Sequence, residues 1–437
     1  MQSEGVSRTK RPRFFYGWVI VAVSGLADCV ALGTGSASFG VFLGPMTKEL
    51  GWSRITYTAG VTAQSILNLV ISPVIGTMLD RFGPRLLMGI GSLVAATCFI
   101  LMSHISEPWQ FYLLYALGAS LGLNEIGSLV TSVTVSKWFM KRRGRALAIE
   151  SIGNNLGQIF FAPLTALLIA TFGWRAAWMI LGAIILIVVL PPTTIFMRRR
   201  PEDMGLKPDG ETDASLAEAE ARGTLRTEVN WTVRQALRTR AVWATVIGSN
   251  LASLAYSGIL YHLVSYYTDS GLTLQEASFF IGMNHVFAMA GKVPWGILAE
   301  HVPPRYCIMA NYAGRATGLL VLLVGQGRWR FYAYPIISGS TSHAFATIQA
   351  QLWADYFGRQ FVGSIRGVLQ PFSAVSSICG PLFAAFAHDL TGSYTGAFSV
   401  FVVTLLLASC SIFFATPPSR YPPGTEPASI PVKGATA

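Results

Sequence analysis

The sequence predicts an all-α membrane protein with twelve transmembrane helices in two pseudo-symmetric six-helix bundles. Three observations carry that expectation: a low charge content, a series of long apolar runs, and an internal repeat. Of the 437 residues, 12% are charged and 52% hydrophobic, with a mean hydropathy of +0.49. A soluble chain carries about 25% charge and could not clothe a fold of this size with half of that. The composition also excludes a disordered chain, a collagen and a disulfide-rich secreted domain. The net charge of +11 does not point to nucleic acid, because no long stretch is polar enough to form such a domain. Cys29, Cys98, Cys307, Cys379 and Cys410 lie in apolar runs without paired or metal-binding spacing. They read as small hydrophobes, and no metal or cofactor is expected.

A helix needs about 20 apolar residues to cross about 30 Å of hydrocarbon. Such runs lie near 16–46, 54–79, 86–104, 109–138, 145–171, 174–197, 241–268, 274–299, 306–324, 330–357, 361–388 and 394–416. Internal Gly and Pro predict tilts and kinks. Nothing alternates over about 10 residues as barrel strands do. The basic start (Arg8, Lys10, Arg11, Arg13) enters a very long apolar run with no cleavage site, so this run reads as an uncleaved first span. With both termini cytoplasmic, the outer loops hold only Lys48, Arg54, Arg175, Arg328 and Arg330, and Lys292 and Arg315 fall inside spans. The rest of the 32 Lys and Arg lie on the inner side, which is the positive-inside pattern of a plasma (inner) membrane protein.

The organisation expected is a first bundle at 1–197, a cytoplasmic linker with an amphipathic segment at 198–240, a second bundle at 241–417 and a cytoplasmic tail at 418–437. GTMLDRFGPR at 76–85 recurs as GILAEHVPPR at 296–305, 220 residues later. Pro163 before TFGW at 171–174 is matched by Pro381 before LTGS at 390–393. A shared offset of half the chain marks a parallel duplication, as in transporters that rock two halves about a central site.

Gly76, Asp80, Arg81, Gly83 and Arg85 form the pattern GxxxDRxGxR, which resembles the loop motif of the major facilitator superfamily. Glu300 and Arg305 stand in its degenerate second copy, with His301 in place of the first Arg. Asp80 and the arginines are expected to latch the halves at the cytoplasmic side, and Gly83 to permit a tight turn. YGWVIV at 16–21, SFGVFL at 38–43, GWSR at 51–54, KWFMKRRGRALAI at 137–149 and RPEDMGLKPDG at 200–210 resemble the monocarboxylate and oxalate/formate porter branch of that family. Lys137 to Arg145, with Arg143 among them, have a counterpart in Asp355 and Arg359, and both groups are expected to gate. Glu150 is expected in the same cytoplasmic network.

An ionisable group at bilayer depth costs about 2.5–3.5 kcal/mol on insertion scales, so each asks for a reason. Lys292 falls where the resemblance places a substrate-binding arginine. It reads as the carboxylate ligand or as a lysine snorkelling to the interface. His285 lies two turns away on the same face, about 10.5 Å along the axis, where it could join Lys292 in holding an anion and a proton; Asn284 is beside it. Asp28 and Glu125, next to Asn124, read as proton-coupling or substrate-contacting carboxylates, or as interhelical hydrogen-bond partners. His262 and His343 lie on spans that line the cavity by resemblance, and Arg315 on a peripheral one. The pairs Gln64 with Asn68 and Asn154 with Gln158 share helix faces and read as glue between helices. Two departures from the branch stand out: Ala37 replaces a lysine of the first span, and the stretch 367–383 holds no basic residue. One clear cation favours a monocarboxylate over a dicarboxylate.

No catalytic motif and no ATP-binding loop is present. The function expected is a secondary transporter of a small organic anion, with a coupling proton, working in the bilayer as a monomer by a rocker switch. The alternatives are a proton-driven exporter of cationic or amphiphilic compounds and a non-transporting membrane sensor.

Overall fold

The structure is a computed structural model and describes residues 15–211, 230–342 and 344–418. The described residues are helices and the turns between them. The N-terminal half holds Gly17–Leu50 (α1), Arg54–Phe82 (α2), Pro84–Met102 (α3) and Pro108–Trp138 (α4). One stretch then runs from Arg143 to Phe196. It bends at Gly173 (φ 80°, ψ 163°), a backbone shape that glycine adopts without strain. The bend divides α5 (143–172) from α6 (174–196) at the turn expected from TFGW. The C-terminal half holds Arg240–Asp269 (α7), Leu274–His301 (α8), Pro304–Val324 (α9), α10 (described over Trp329–Ser342 and Phe345–Phe357), Val362–Thr391 (α11) and Thr395–Phe413 (α12).

Local chemistry sets these boundaries. Ser53, Thr239 and Thr273 cap α2, α7 and α8 by accepting a backbone N–H three residues on, and Glu276 closes a reciprocal box with Thr273. Pro84, Pro108 and Pro304 occupy first-turn positions, where the missing N–H costs nothing. Gly83 (φ 83°) ends α2, as its motif position requires. Eight helical stretches are long and apolar enough to cross a membrane. Among the described residues, α7, α8 and α10 fall outside that set. Large apolar side chains such as Val70, Phe172, Ile187, Leu382 and Leu390 are exposed on the outer faces, which suits lipid and not water.

The most extensive contacts between the halves are two helix crossings, α2 against α11 and α5 against α8. Both rest on facing glycines. A methyl group on Gly76 would stand 2.3 Å from the Gly363 carbonyl oxygen, and one on Gly144 would stand 2.0 Å from that of Gly296. Gly76 and Gly296 are the equivalent positions of the two motif copies, so the duplication builds the same close contact twice. The linker begins with short turns at Pro201–Met204 and Pro208–Gly210 and ends in a single turn, Val233–Ala236. The amphipathic segment expected before α7 holds this one capped turn.

Candidate functional site

Between the halves lies a cavity of about 890 Å³. Its walls come from α1, α2, α4, α7 and α11. Ser36, Gln64, Asn68, Asn124 and Gln370 supply polar atoms, and Phe39, Tyr115 and Tyr261 supply aromatic surface. No charged residue is among its described lining. Asn124 donates to Asn68 Oδ1 at 2.6 Å. Two features of the main chain shape the wall. A wide π turn at Gly33–Ala37 in α1, and another at Gly118–Leu123 in α4, turn the residues beside them toward the cavity. The chain is then extended at Gly127 (φ −95°, ψ −171°), and a new helical segment starts at Ser128. Gly127, Ser128 and Leu129 all line the cavity, so the positive end of the Ser128–Trp138 segment faces it.

A buried charge cluster lies one helical turn beneath the cavity floor. Asp28 is three residues before the lining residue Ala31, Ser132 four after Ser128, and Arg366 four before Gln370. Asp28 (0% exposed) accepts from Thr131 Oγ1 at 3.2 Å. Its carboxyl faces that of Glu150 within hydrogen-bonding reach. Lys292 (3% exposed) reaches across the interface and donates to the Ser151 carbonyl at 2.7 Å and to Asn155 Oδ1 at 3.0 Å. It is close enough to both acids to attract them. Arg366 donates to Ser132 Oγ at 2.8 Å and is attracted to Glu150. Two acids from the N-terminal half thus meet two cations from the C-terminal half, where an unpaired charge would be costly.

Below the cluster the halves are sealed at the end that carries the basic loops. Asp80 accepts from Lys137 Nζ at 2.6 Å and, at the start of α11, from the Ser364 N–H at 2.6 Å and hydroxyl at 2.8 Å. Glu300 does the same for α5: it accepts from the Arg145 N–H at 2.9 Å and from Arg145 Nε at 2.8 Å. Each motif acid therefore caps the positive first turn of a helix in the opposite half. Arg143 pairs with Asp355, and Arg359 donates to the Lys137 carbonyl at 2.5 Å and to Glu202 at 3.0 Å. Asp209 of the linker accepts the N–H groups of Met140, Lys141 and Arg142. At the opposite end, the pairs Glu49–Arg175 and Glu276–Arg328 each stay within one half.

Several expected site residues stand elsewhere. Arg81 and Arg85 are exposed, and Lys137, not these arginines, holds Asp80. Arg305 donates to its neighbour Tyr306 at 2.7 Å and makes no ion pair across the halves among the described residues. Glu125 is buried but packs toward α3, against Gly91, and is not in the cavity wall. His262 spends its ring nitrogens on the Tyr394 hydroxyl (3.3 Å) and the Pro381 carbonyl (3.1 Å), inside the C-terminal half. His285 and Asn284 line a separate small cavity with Arg315. The expected joint site of His285 and Lys292 is therefore split between two environments. His343 lies outside the described residues. Glu150 is in the central cluster and not in the seal. Arg366 falls one residue outside the stretch read as free of basic groups. It gives α11 a cation, so the sequence argument against a dicarboxylate loses its premise.

Two helical halves around a cavity, joined by polar contacts at one end, are the architecture of a membrane carrier. The chain belongs to the Major Facilitator Superfamily, whose family model matches residues 29–325. Curated relatives include the monocarboxylate transporter 13 of Bos taurus, 24% identical and covering 94% of this chain and 91% of the relative. The oxalate:formate antiporter of Oxalobacter formigenes is 23% identical, with 92% and 91% covered. These are the branches that the motifs resemble. Among solved structures, a variant of the E. coli fucose:proton symporter FucP aligns with a TM-score of 0.68 at 14% identity, covering 92% of this chain and 99% of that one. FucP in the outward conformation aligns with a TM-score of 0.60 at 15% identity, with 91% and 99% covered. These structures share the fold.

Proposed function

We propose that this chain is a secondary active transporter that moves a small organic anion, a monocarboxylate, together with a proton across the plasma membrane. The twelve helices are its spans, the basic end is cytoplasmic, and the halves rock about the central cavity. The observation that carries this reading is the four-charge cluster of Asp28, Glu150, Lys292 and Arg366 beneath an uncharged cavity. With both carboxyls ionised, the acids balance the cations. A proton on the facing carboxyls of Asp28 and Glu150 relieves their mutual repulsion and leaves the floor net positive. Lys292, Arg366 and the positive end of the Ser128–Trp138 segment then favour a carboxylate arriving from the cavity. Proton and anion favour each other's binding, which is the thermodynamic requirement of symport. The names of the curated relatives agree with a carboxylate substrate.

The test is uptake of labelled monocarboxylates of increasing size into proteoliposomes, with the inside kept alkaline. Saturable uptake that a protonophore abolishes supports the reading. Absence of saturable monocarboxylate uptake would sink it. The uncharged, partly aromatic cavity wall favours one other reading, an exporter of amphiphilic compounds. A dye-efflux assay in the same vesicles distinguishes the two.

A further inference from the structure

A second buried cation has no role in the cluster. Arg315, on α9, is 6% exposed. Its guanidinium carbon lies 5.0 Å from the Tyr256 ring centre, and the phenols of Tyr312 and Tyr334 are near enough to interact with it. It makes no ion pair among the described residues. The described acids of this half are engaged elsewhere: Glu276 with Arg328, Glu300 with Arg145, Asp355 with Arg143, and both Asp269 and the exposed Asp389 with His388. The Arg315 side chain borders a cavity of about 50 Å³, whose polar lining is Asn284, His285, Ser338, Ser342 and the phenols of Tyr256 and Tyr334. A water needs about 10–15 Å³ by this measure, so the space holds a monatomic ion with a little water. The lining offers hydrogen-bond donors and no carboxylate. The hydroxyl of Tyr312, fully buried, has no hydrogen-bond partner among the described residues.

We propose that Arg315 and the surrounding hydroxyl, amide and imidazole groups bind a halide-sized inorganic anion, chloride, inside the C-terminal half and apart from the transport cavity. The anion supplies the counter-charge that the protein withholds from a buried guanidinium. It also ties α7, α8, α9 and α10 together, so its presence stiffens the half that rocks. The proposal does not depend on the identity of the transported substrate.

The test is thermal unfolding of the purified protein in sodium chloride against sodium gluconate at equal ionic strength. Chloride is expected to raise Tm saturably in the millimolar range, since it binds the folded state, with bromide as an effective substitute. Arg315→Gln removes the charge, and Ser342→Leu fills the cavity while keeping Arg315. Each is expected to weaken the apparent chloride affinity at least tenfold. If Arg315→Gln does not fold, Ser342→Leu decides. The absence of a chloride effect in the parent, or an undiminished effect in the folded variants, overturns the proposal.

Discussion

Lys292 is the residue on which the central site turns, because it carries a C-terminal-half charge onto the Ser151 carbonyl and the Asn155 side-chain amide of α5. Removing one member of a buried charge cluster leaves the others uncompensated, at about 3–5 kcal/mol. Lys292→Ala is therefore expected to lower uptake at least tenfold and to lower Tm. Lys292→Arg restores the charge and is expected to recover folding and part of the uptake; an alanine variant that transports like the parent contradicts the assignment. Glu150→Gln is expected to separate the two functions: exchange of labelled for unlabelled substrate persists, while accumulation against a gradient is lost. Equal loss of both would remove Glu150 from coupling. The sequence made Asp28 and Lys292 legible because charges deep in apolar runs are conspicuous. Arg366 and Glu150 were not, because each sits within two turns of a helix start, where a charge reads as part of a loop. Only the packing of four helices shows that these ends lie beneath the cavity.

At the scale of elements, the Gly–Gly crossings decide how tightly the basic end can close. Gly144→Leu cannot coexist with the present approach of α5 to α8, where even a methyl group would stand 2.0 Å from a carbonyl oxygen. The variant is expected to favour the state in which the basic end is open. In a cysteine-free background carrying Thr347→Cys, a buried position beside this crossing, maleimide labelling from that side should rise several-fold. Unchanged labelling would show that the crossing does not hold the seal. The repeat at 76–85 and 296–305 revealed one glycine of each crossing. Their partners, Gly363 and Gly144, are not marked by the repeat, because any small residue opposite a glycine gives close approach. The interruption of α4 at Gly127 was equally hidden: a lone glycine in an apolar run is compatible with an unbroken helix.

For the whole molecule, the duplication read from the sequence is the organising fact. It places two motif acids, Asp80 and Glu300, as caps on helices of the opposite halves. Asp80→Asn with Glu300→Gln is expected to loosen both caps. Spin labels placed on α5 and α11 at the basic end should then report longer distances than in the parent, by several ångströms; unchanged distances would mean that the glycine contacts suffice. The state of the carrier was not legible in the sequence, since the open and closed arrangements share every residue. It follows from where contacts between the halves have formed: at the basic end, with the pairs of the opposite end kept inside each half.

The claim underneath these expectations is that anion and proton meet at one cluster. Its most direct measurement is initial uptake of a labelled monocarboxylate into proteoliposomes across a series of imposed pH gradients, for the parent and for Lys292→Ala, Arg366→Gln and Asp28→Asn. The account requires uptake that grows with the gradient in the parent, collapses in the two cation variants, and no longer responds to the gradient in Asp28→Asn. Uptake insensitive to pH in the parent, or a gradient response retained in Asp28→Asn, would contradict it.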